Sequence, residues 1–372
     1  MERASEEIQM LRVLKVSGDE AFAIPAEEFN VKFNELERPV RAFKRHLQSV
    51  CGEPRFKQRL LLEDGTVLCD DSKIEAAQIQ LVLLSYRASE SATEEAELMT
   101  AAQDNDVEKL ESLLQRPLHP DSCRVAPAAL AARGIERTTP LAWACYQGHC
   151  DVAILLLEAG AVMQKTDNKG RAAISWACVG GSLEVVCMLL EAGADLEHSD
   201  DHGRTPLALA CVEGHVEVVH RLLEAGADRD RADVFGTSPL AMACSQDRLE
   251  VVRLLLDAGA KKDTVDHEGE TPLSCVCKQG RLQIVRLLLE AGAAMERVDY
   301  DGSVFLKVVA VSWGPQGKAL VADIACRGVQ AVDVGRLLFE LHGHLGMSMV
   351  EELSRRGKMR FALGLRSENL AL

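Results

Sequence analysis

Apolar and polar positions change their period along the chain, and the change divides it. Near the N-terminus Leu11 and Val13 alternate with polar neighbours up to a turn at Ser17-Gly18, and a second short apolar run covers residues 22–24. A period of two is that of half-buried strands. Val40, Phe43, Leu47 and Val50 then recur at helical spacing as one apolar stripe. A strand over 59–62, a turn at Asp64-Gly65, a short strand and a last strand over 78–84 follow. From Glu94 the period is helical. Met99, Ala101 and Ala102 sit on one short helix, and Val107, Leu110, Leu113 and Leu114 on a second. Leucine-rich helices return at Leu155-Leu156-Leu157, Leu189-Leu190, Leu222-Leu223, Leu254-Leu255-Leu256 and Leu287-Leu288-Leu289.

The returns are regular. Pro140, Pro206, Pro239 and Pro272 fall on one 33-residue lattice, with Ala173 in the remaining slot. Cys145, Cys178, Cys211, Cys244 and Cys277 keep the same step, as do Gly160, Gly193, Gly226, Gly259 and Gly292. Thr-Pro suits a helix start, where proline has no amide to lose and its φ is preset. Glycine suits the left-handed residue that ends the second helix. One helix pair cannot bury its own apolar face, so neighbouring copies must stack. Five regular copies occupy 139–170, 171–203, 204–236, 237–269 and 270–302, and a more polar opening copy occupies 94–138. From Ala102 to the equivalent Cys145 the step is 43, which places about ten extra residues in 117–138 and predicts a surface loop there. Beyond 302 the motif fades, although Gly335 keeps the step from Gly302. Residues 303–372 read as degenerate repeats and a C-terminal cap.

A period of 33 carrying Thr-Pro-Leu, then Gly-His, then a leucine run resembles the ankyrin repeat. Stretch 203–227, GRTPLALACVEGHVEVVHRLLEAGA, shows all of it. The histidine that follows Thr-Pro-Leu in that family is replaced by Ala142, Ser175, Ala208, Ala241 and Ser274. The replacement removes a hydrogen bond per copy without changing the packing logic. Residues 8–86 resemble a ubiquitin-like domain, most closely in QRLLLEDGTVL (58–68) and IQLVLL (79–84), with a longer segment at 26–38 than that family has. The resulting fold class is an α+β ubiquitin-like domain, a polar linker at 87–93, and an all-α ankyrin-repeat solenoid. The second resemblance implies an apolar docking patch at Leu61 and Val82, with Gln80 where ubiquitin has histidine. The alternative is that Leu61 and Val82 only complete the sheet. The chain continues past Tyr86 without Gly-Gly, so this domain reads as an integral docking module and not as a cleaved, conjugated tag.

Composition narrows the function. The 372 residues are 47% hydrophobic and only 4% aromatic, as expected when Leu, Val and Ala build the core. The N-terminal stretch lacks the basic-then-apolar run of a signal peptide, and no apolar run reaches the ~18 residues of a membrane span. Twelve cysteines without C-x-x-C point to reduced thiols, hence to the cytoplasm or nucleus. Most of the net charge of −15 lies in 139–302, while 303–372 is net basic. An acidic solenoid argues against nucleic acid and for a basic protein partner.

No chemical site assembles. The lattice cysteines fill the small-residue slot of the first helices, and Cys275 and Cys277 face different ways on one helix. His149 and His215 read as helix caps, and Trp143 and Trp176 as core between copies. No phosphate loop occurs, and neither metal nor cofactor is expected. The variable positions are therefore the candidates. The ankyrin resemblance implies that the tips between copies bind partners: Asn168, Lys169, Arg171, Asp201, His202, Val234, Phe235, His267, Glu268, Tyr300 and Asp301. It also implies the groove-side ends of the first helices: Tyr146, Gln147, Val179, Val212, Glu213, Ser245, Gln246, Lys278 and Gln279. Phe235 and Tyr300 either anchor an interface or fold back on their own hairpins. Two acidic series run with the lattice. Asp167, Asp200, Asp233, Asp266 and Asp299 are expected to brace the hairpin turns. Glu197, Asp230, Asp263 and Glu296, with Gln164 in the fifth place, are expected to form an acidic edge toward basic partners.

The function these readings support is a non-catalytic adaptor, with the solenoid holding a protein client and the first domain docking on a ubiquitin receptor or ligase. The alternatives are an enzyme or subunit of ubiquitin handling, and a nucleic-acid-associated regulator.

Overall fold

The computed structural model describes residues 10–15, 17, 19–62, 64–74, 78–86, 92–116, 118–122 and 137–294. The degenerate repeats expected in 303–372, and Tyr300, Asp301, Glu296 and Asp299, lie outside the described residues. The chain forms two compact units, one ending at Asp201 and the other beginning at His202.

The first unit opens with β1 (Met10–Lys15), β2 (Glu20–Pro25), α1 (Ala26–Phe29), α2 (Pro39–Cys51), β3 (Gln58–Leu61) and β4 (Gln78–Leu83). Strand order is β2-β1-β4-β3. The outer pairs are antiparallel and β1 runs parallel to β4. Two strands, a helix and further strands are the succession that the ubiquitin-like resemblance implies. Leu11, Val13, Leu60, Ile79 and Leu81 point to the core from the sheet and meet Val40, Phe43 and Leu47 of α2. Val50, placed on the same stripe by its spacing, is 49% exposed. It lies one residue before the last position of α2, which ends at the left-handed Gly52, beyond the reach of the sheet. The longer segment at 26–38 is not a loop. It forms α1 and a π-helical turn, Asn30–Asn34, and inserts Phe29 and Phe33 against Phe43 at ring distances of 4.9 and 5.3 Å. Aromatic residues, scarce overall, concentrate here.

Three helix pairs complete this unit: α3 (Ala92–Gln103) with α4 (Val107–Leu114), α5 (Pro140–Gln147) with α6 (Cys150–Glu158), and α7 (Ala173–Gly180) with α8 (Leu183–Glu191). Helix α3 begins at Ala92, so part of the expected linker is already helical. The second unit repeats the plan with α9 (Pro206–Glu213) and α10 (Val216–Glu224), α11 (Pro239–Ser245) and α12 (Leu249–Asp257), α13 (Pro272–Gln279) and α14 (Leu282–Glu290). Helices α5, α9, α11 and α13 each open on a hydroxyl side chain that accepts from the N3 amide: Thr139, Thr205, Ser238 and Thr271. Such caps are worth about 1 kcal/mol each. Ser274 closes a reciprocal capping box with Thr271, which restores one bond at the position of the family's histidine.

Helix α7 has neither the hydroxyl cap nor the proline, and Ala172 stands at its N-cap. Arg171 supports that start instead. Its Nε donates to Asp167 at 3.0 Å and its Nη2 lies 2.9 Å from the same carboxylate, and its guanidinium lies 4.0 Å from the Trp176 ring centre. Helix α7 also ends on Gly180, where other copies have Gln147, Glu213, Gln246 and Gln279. A β-carbon at Gly180 would run into the backbone carbonyl of Tyr146, so the glycine lets α5 and α7 approach.

The start of the stretch 117–138 is packed, and residues 123–136, which hold most of the expected surface loop, lie outside the described residues. Leu118 and Asp121 are buried, and the Asp121 carboxylate accepts from the Val162 amide at 3.1 and 3.3 Å. In the second unit Asp230 accepts from Lys261 N and Asp263 from Ala294 N, each 31 residues on. Val162, Lys261 and Ala294 share one lattice position, so Asp121 is the opening copy's member of the Asp230 series. The opening copy therefore keeps register through Asp121, and the insertion follows it.

Candidate functional site

Five cysteines on one lattice invite a redox or metal reading, and geometry removes it. Cys145, Cys178, Cys211, Cys244 and Cys277 are all buried. Burial pushes the thiols of Cys145, Cys211 and Cys244 up, away from the reactive thiolate, as it does for the half-buried Cys275. No group of three His, Cys, Asp or Glu capable of holding a metal occurs among the described residues. Small, apolar thiols fit the closely packed slot. Under native conditions iodoacetamide should alkylate the exposed Cys69 first and leave Cys145, Cys211 and Cys244 intact until the chain is denatured. Mass spectrometry reads this directly, and labelling of Cys211 as fast as Cys69 would contradict the packing role.

The Gly-His histidines stand at the N-caps of α6 and α10, but neither side chain makes the capping bond. They hold the cap positions expected of them, through backbone and not through the imidazole. The His149 ring nitrogen Nε2 lies 3.0 Å from the carbonyl of Gln103, in the preceding copy. Arg248, in the same register, donates from Nε to Val212 O at 2.9 Å. These side chains tie neighbouring copies at the groove-side carbonyl. Trp143 and Trp176 are buried, as expected, with Tyr146 stacked on the first at 5.2 Å and edge-on to the second at 5.5 Å.

The tips are built by the second acidic series. The Oδ1 atom of Asp167 accepts from Lys169 N and Arg171 N, that of Asp233 from Phe235 N and Thr237 N, and that of Asp266 from Glu268 N and Glu270 N, all between 2.8 and 3.0 Å. Successive tips then pair through backbone. In the first unit Asp201 N donates to Lys169 O at 3.0 Å; in the second, Val234 N donates to His202 O and His267 N to Phe235 O, both at 2.9 Å. Asn168, Asp201, His202, Val234, Phe235, His267 and Glu268 are exposed, on a rigid edge whose backbone groups are already paired.

Arg171 does not belong with them. At 8% exposure, with its guanidinium taken up by Asp167 and Trp176, it holds the tip's shape and offers no free surface. Of the groove-side positions, Gln147, Glu213, Gln246, Lys278 and Gln279 are exposed, and Tyr146, Val179, Val212 and Ser245 are half-buried. Phe235 does not fold back on its own hairpin. It is 58% exposed beside Val234 at 51%, and its ring stacks loosely on His202 of the preceding tip, 6.4 Å between centres.

Two members of the first acidic series, Asp230 and Asp263, have a different role from the one their spacing suggests. Asp230 and Asp263 hold backbone amides of the next copy, as Asp121 does, so they are braces and not an acidic edge. Asp263→Ala should cost about 1 kcal/mol in urea unfolding, and Asp263→Asn, which keeps the acceptor, should cost much less. An Asn variant as unstable as the Ala variant would contradict this role.

On the N-terminal domain, register sets Leu61 opposite Gln80 and Arg59 opposite Val82, all on the sheet face away from α2. Leu61 and Val82 are half-buried and Gln80 is exposed. Arg59 Nη2 donates to the carbonyl of Gln115, beyond α4. Spacing alone did not single out Arg59, Asp121, Gly180 or Arg55. Asp121 could have been found by continuing the Asp230 lattice with the insertion placed after it.

The family model described as Ankyrin repeats (3 copies) matches residues 98–200, 193–266 and 226–301, which together span more than half of the 372-residue chain. No curated protein matches the chain. Among the described residues no helix is long and apolar enough to cross a membrane. Taken with the helix pairs, the αL glycines that end them and the paired tips, the match shows that this chain belongs to the ankyrin-repeat family.

Proposed function

We propose that the chain is a non-catalytic adaptor of the cytoplasm or nucleus that holds a protein client along its hairpin tips and groove-side helix ends. The observation that carries this reading is the exposed Val234-Phe235 pair on a backbone-braced tip. An exposed aromatic is an expensive residue to hold in water and a frequent anchor of interfaces. The braces keep the tip from rearranging, so little ordering entropy opposes binding. The net charge of −15 favours a client with basic segments through its long-range field, without a role for Asp230 or Asp263. In the same reading, the sheet face with Leu61, Gln80 and Val82 docks on a ubiquitin receptor or ligase.

Affinity capture with the full chain tests both halves. Val234→Ser with Phe235→Ser should weaken client capture at least tenfold, the scale of a lost hot spot, and leave the sheet partner unaffected. Leu61→Lys with Val82→Lys should do the reverse. Unchanged client capture by the tip variant would overturn the tip as anchor, and unchanged capture of ubiquitin-system proteins by the sheet variant would overturn the docking role.

A further inference from the structure

The lattice glycine that ends each second helix has a positive φ in every regular copy, yet its surroundings differ at one place. At Gly193 and Gly226 a β-carbon would meet nothing within 4 Å; at Gly160 it would lie 2.6 Å from Cγ of Pro54 and 3.0 Å from Oη of Tyr86. Both of those residues belong to the N-terminal domain. Tyr86 Oη donates to the carbonyl of Ala159, and its ring stands 5.1 Å from His119. The domain is thus seated on the C-terminal end of α6.

Beside this seat lies Arg55, with 1% of its side chain exposed. Its Nε donates to Glu158 at 2.6 Å and its Nη2 to Glu111 at 3.1 Å, while Nη1 lies 3.5 Å from Asp70 of its own domain. The guanidinium also stacks on Phe56 at 3.9 Å. Arg41 reaches Glu111 and Arg45 reaches Glu158. Glu111 is peculiar to the opening copy. The lattice gives Ile154, Cys187, His220, Arg253 and Arg286 at its position. A carboxylate there, facing a buried arginine across a domain boundary, is a docking feature that the repeat itself does not require.

We infer that the N-terminal domain is the structural cap of the solenoid: residues 10–86 and the first two helix pairs open and close as one cooperative unit, locked by Arg55 and by the seat on Gly160. A terminal repeat has no neighbour on one side and needs a cover; here the second helices α4 and α6 receive the α+β domain. Burying an arginine is tolerable only with its carboxylates in place, so separating the two parts would strand charges on both. The domain's sheet face and the solenoid's first copies are therefore held in fixed register, and the domain does not swing on its linker. This inference stands apart from the identity of any partner.

Hydrogen exchange on the full chain tests it through a matched pair of variants. Gly160→Ala and Gly226→Ala impose the same backbone strain, but only the first disturbs the seat. Gly160→Ala should raise exchange at least tenfold in β3 and β4 and, in parallel, in α4 and α6; Gly226→Ala should leave all four at wild-type rates. Should Gly160→Ala not fold, Arg55→Lys, which keeps the charge but loses the fork of donors, is read the same way. Faster exchange in α6 with the sheet amides unchanged, in either variant, would overturn the cap.

Discussion

Trp176→Ala should lower the unfolding free energy by about 3–5 kcal/mol, the range for deleting a buried aromatic. The side chain is buried at 1% exposure, and three groups depend on it. Tyr146 packs edge-on against it, and the Arg171 guanidinium rests on its face. Through Arg171 it supports the start of α7, which has neither a hydroxyl cap nor a proline. Trp176→Phe separates volume from polarity. The indole Nε1 makes no hydrogen bond among the described residues, so the Phe variant loses only part of the ring and should cost on the order of 1–2 kcal/mol. Urea denaturation of both variants measures the difference. Equal losses would mean that the indole nitrogen, and not packing, carries the site.

Arg55→Met is expected to be comparably severe, about 3–5 kcal/mol, the cost of removing one partner from a buried charge cluster. The penalty comes less from the lost attraction than from Glu111 and Glu158, which remain half-buried at the domain boundary with their principal cation gone. Adding Glu111→Gln and Glu158→Gln to Arg55→Met removes those stranded charges, so the triple variant should recover much of the loss. A triple variant less stable than Arg55→Met alone would show that the carboxylates are stabilised by Arg41 and Arg45 without Arg55. Thermal melts with a probe in the sheet and one in the solenoid would follow the two sides together.

The fold was largely legible because repetition is a strong signal. Pro206, Cys211 and Gly226 each answer to a different physical demand, and their copies agree at every step but Ala173. The alternation around Val13 and the stripe through Phe43 likewise reported the first domain. Where spacing misled, a single lattice position had two physical readings. Asp230 and Asp263 look like a charged edge in one dimension; only the fold brings an amide of the next copy to each. Arg171 sits at a tip by number but is turned inward by Asp167 and Trp176. His149 occupies a cap position, while its ring reaches a neighbouring carbonyl. Val50 keeps the helical period past the point where the sheet can cover it. The seat of the N-terminal domain could not be derived from period at all. It depends on Arg55, Tyr86 and Glu158, which are far apart in the chain, and its one trace in sequence is the acidic residue Glu111 at a position where no other copy has one.

The most direct test is hydrogen exchange on the full chain with and without its captured client. Client binding should slow exchange in peptides containing Val234-Phe235 and His267-Glu268 and in the groove-side ends at Val212-Glu213 and Gln246, while the second helices α10 and α12 keep their free rates. Slowing confined to α10 and α12, with the tip peptides unchanged, would contradict the account.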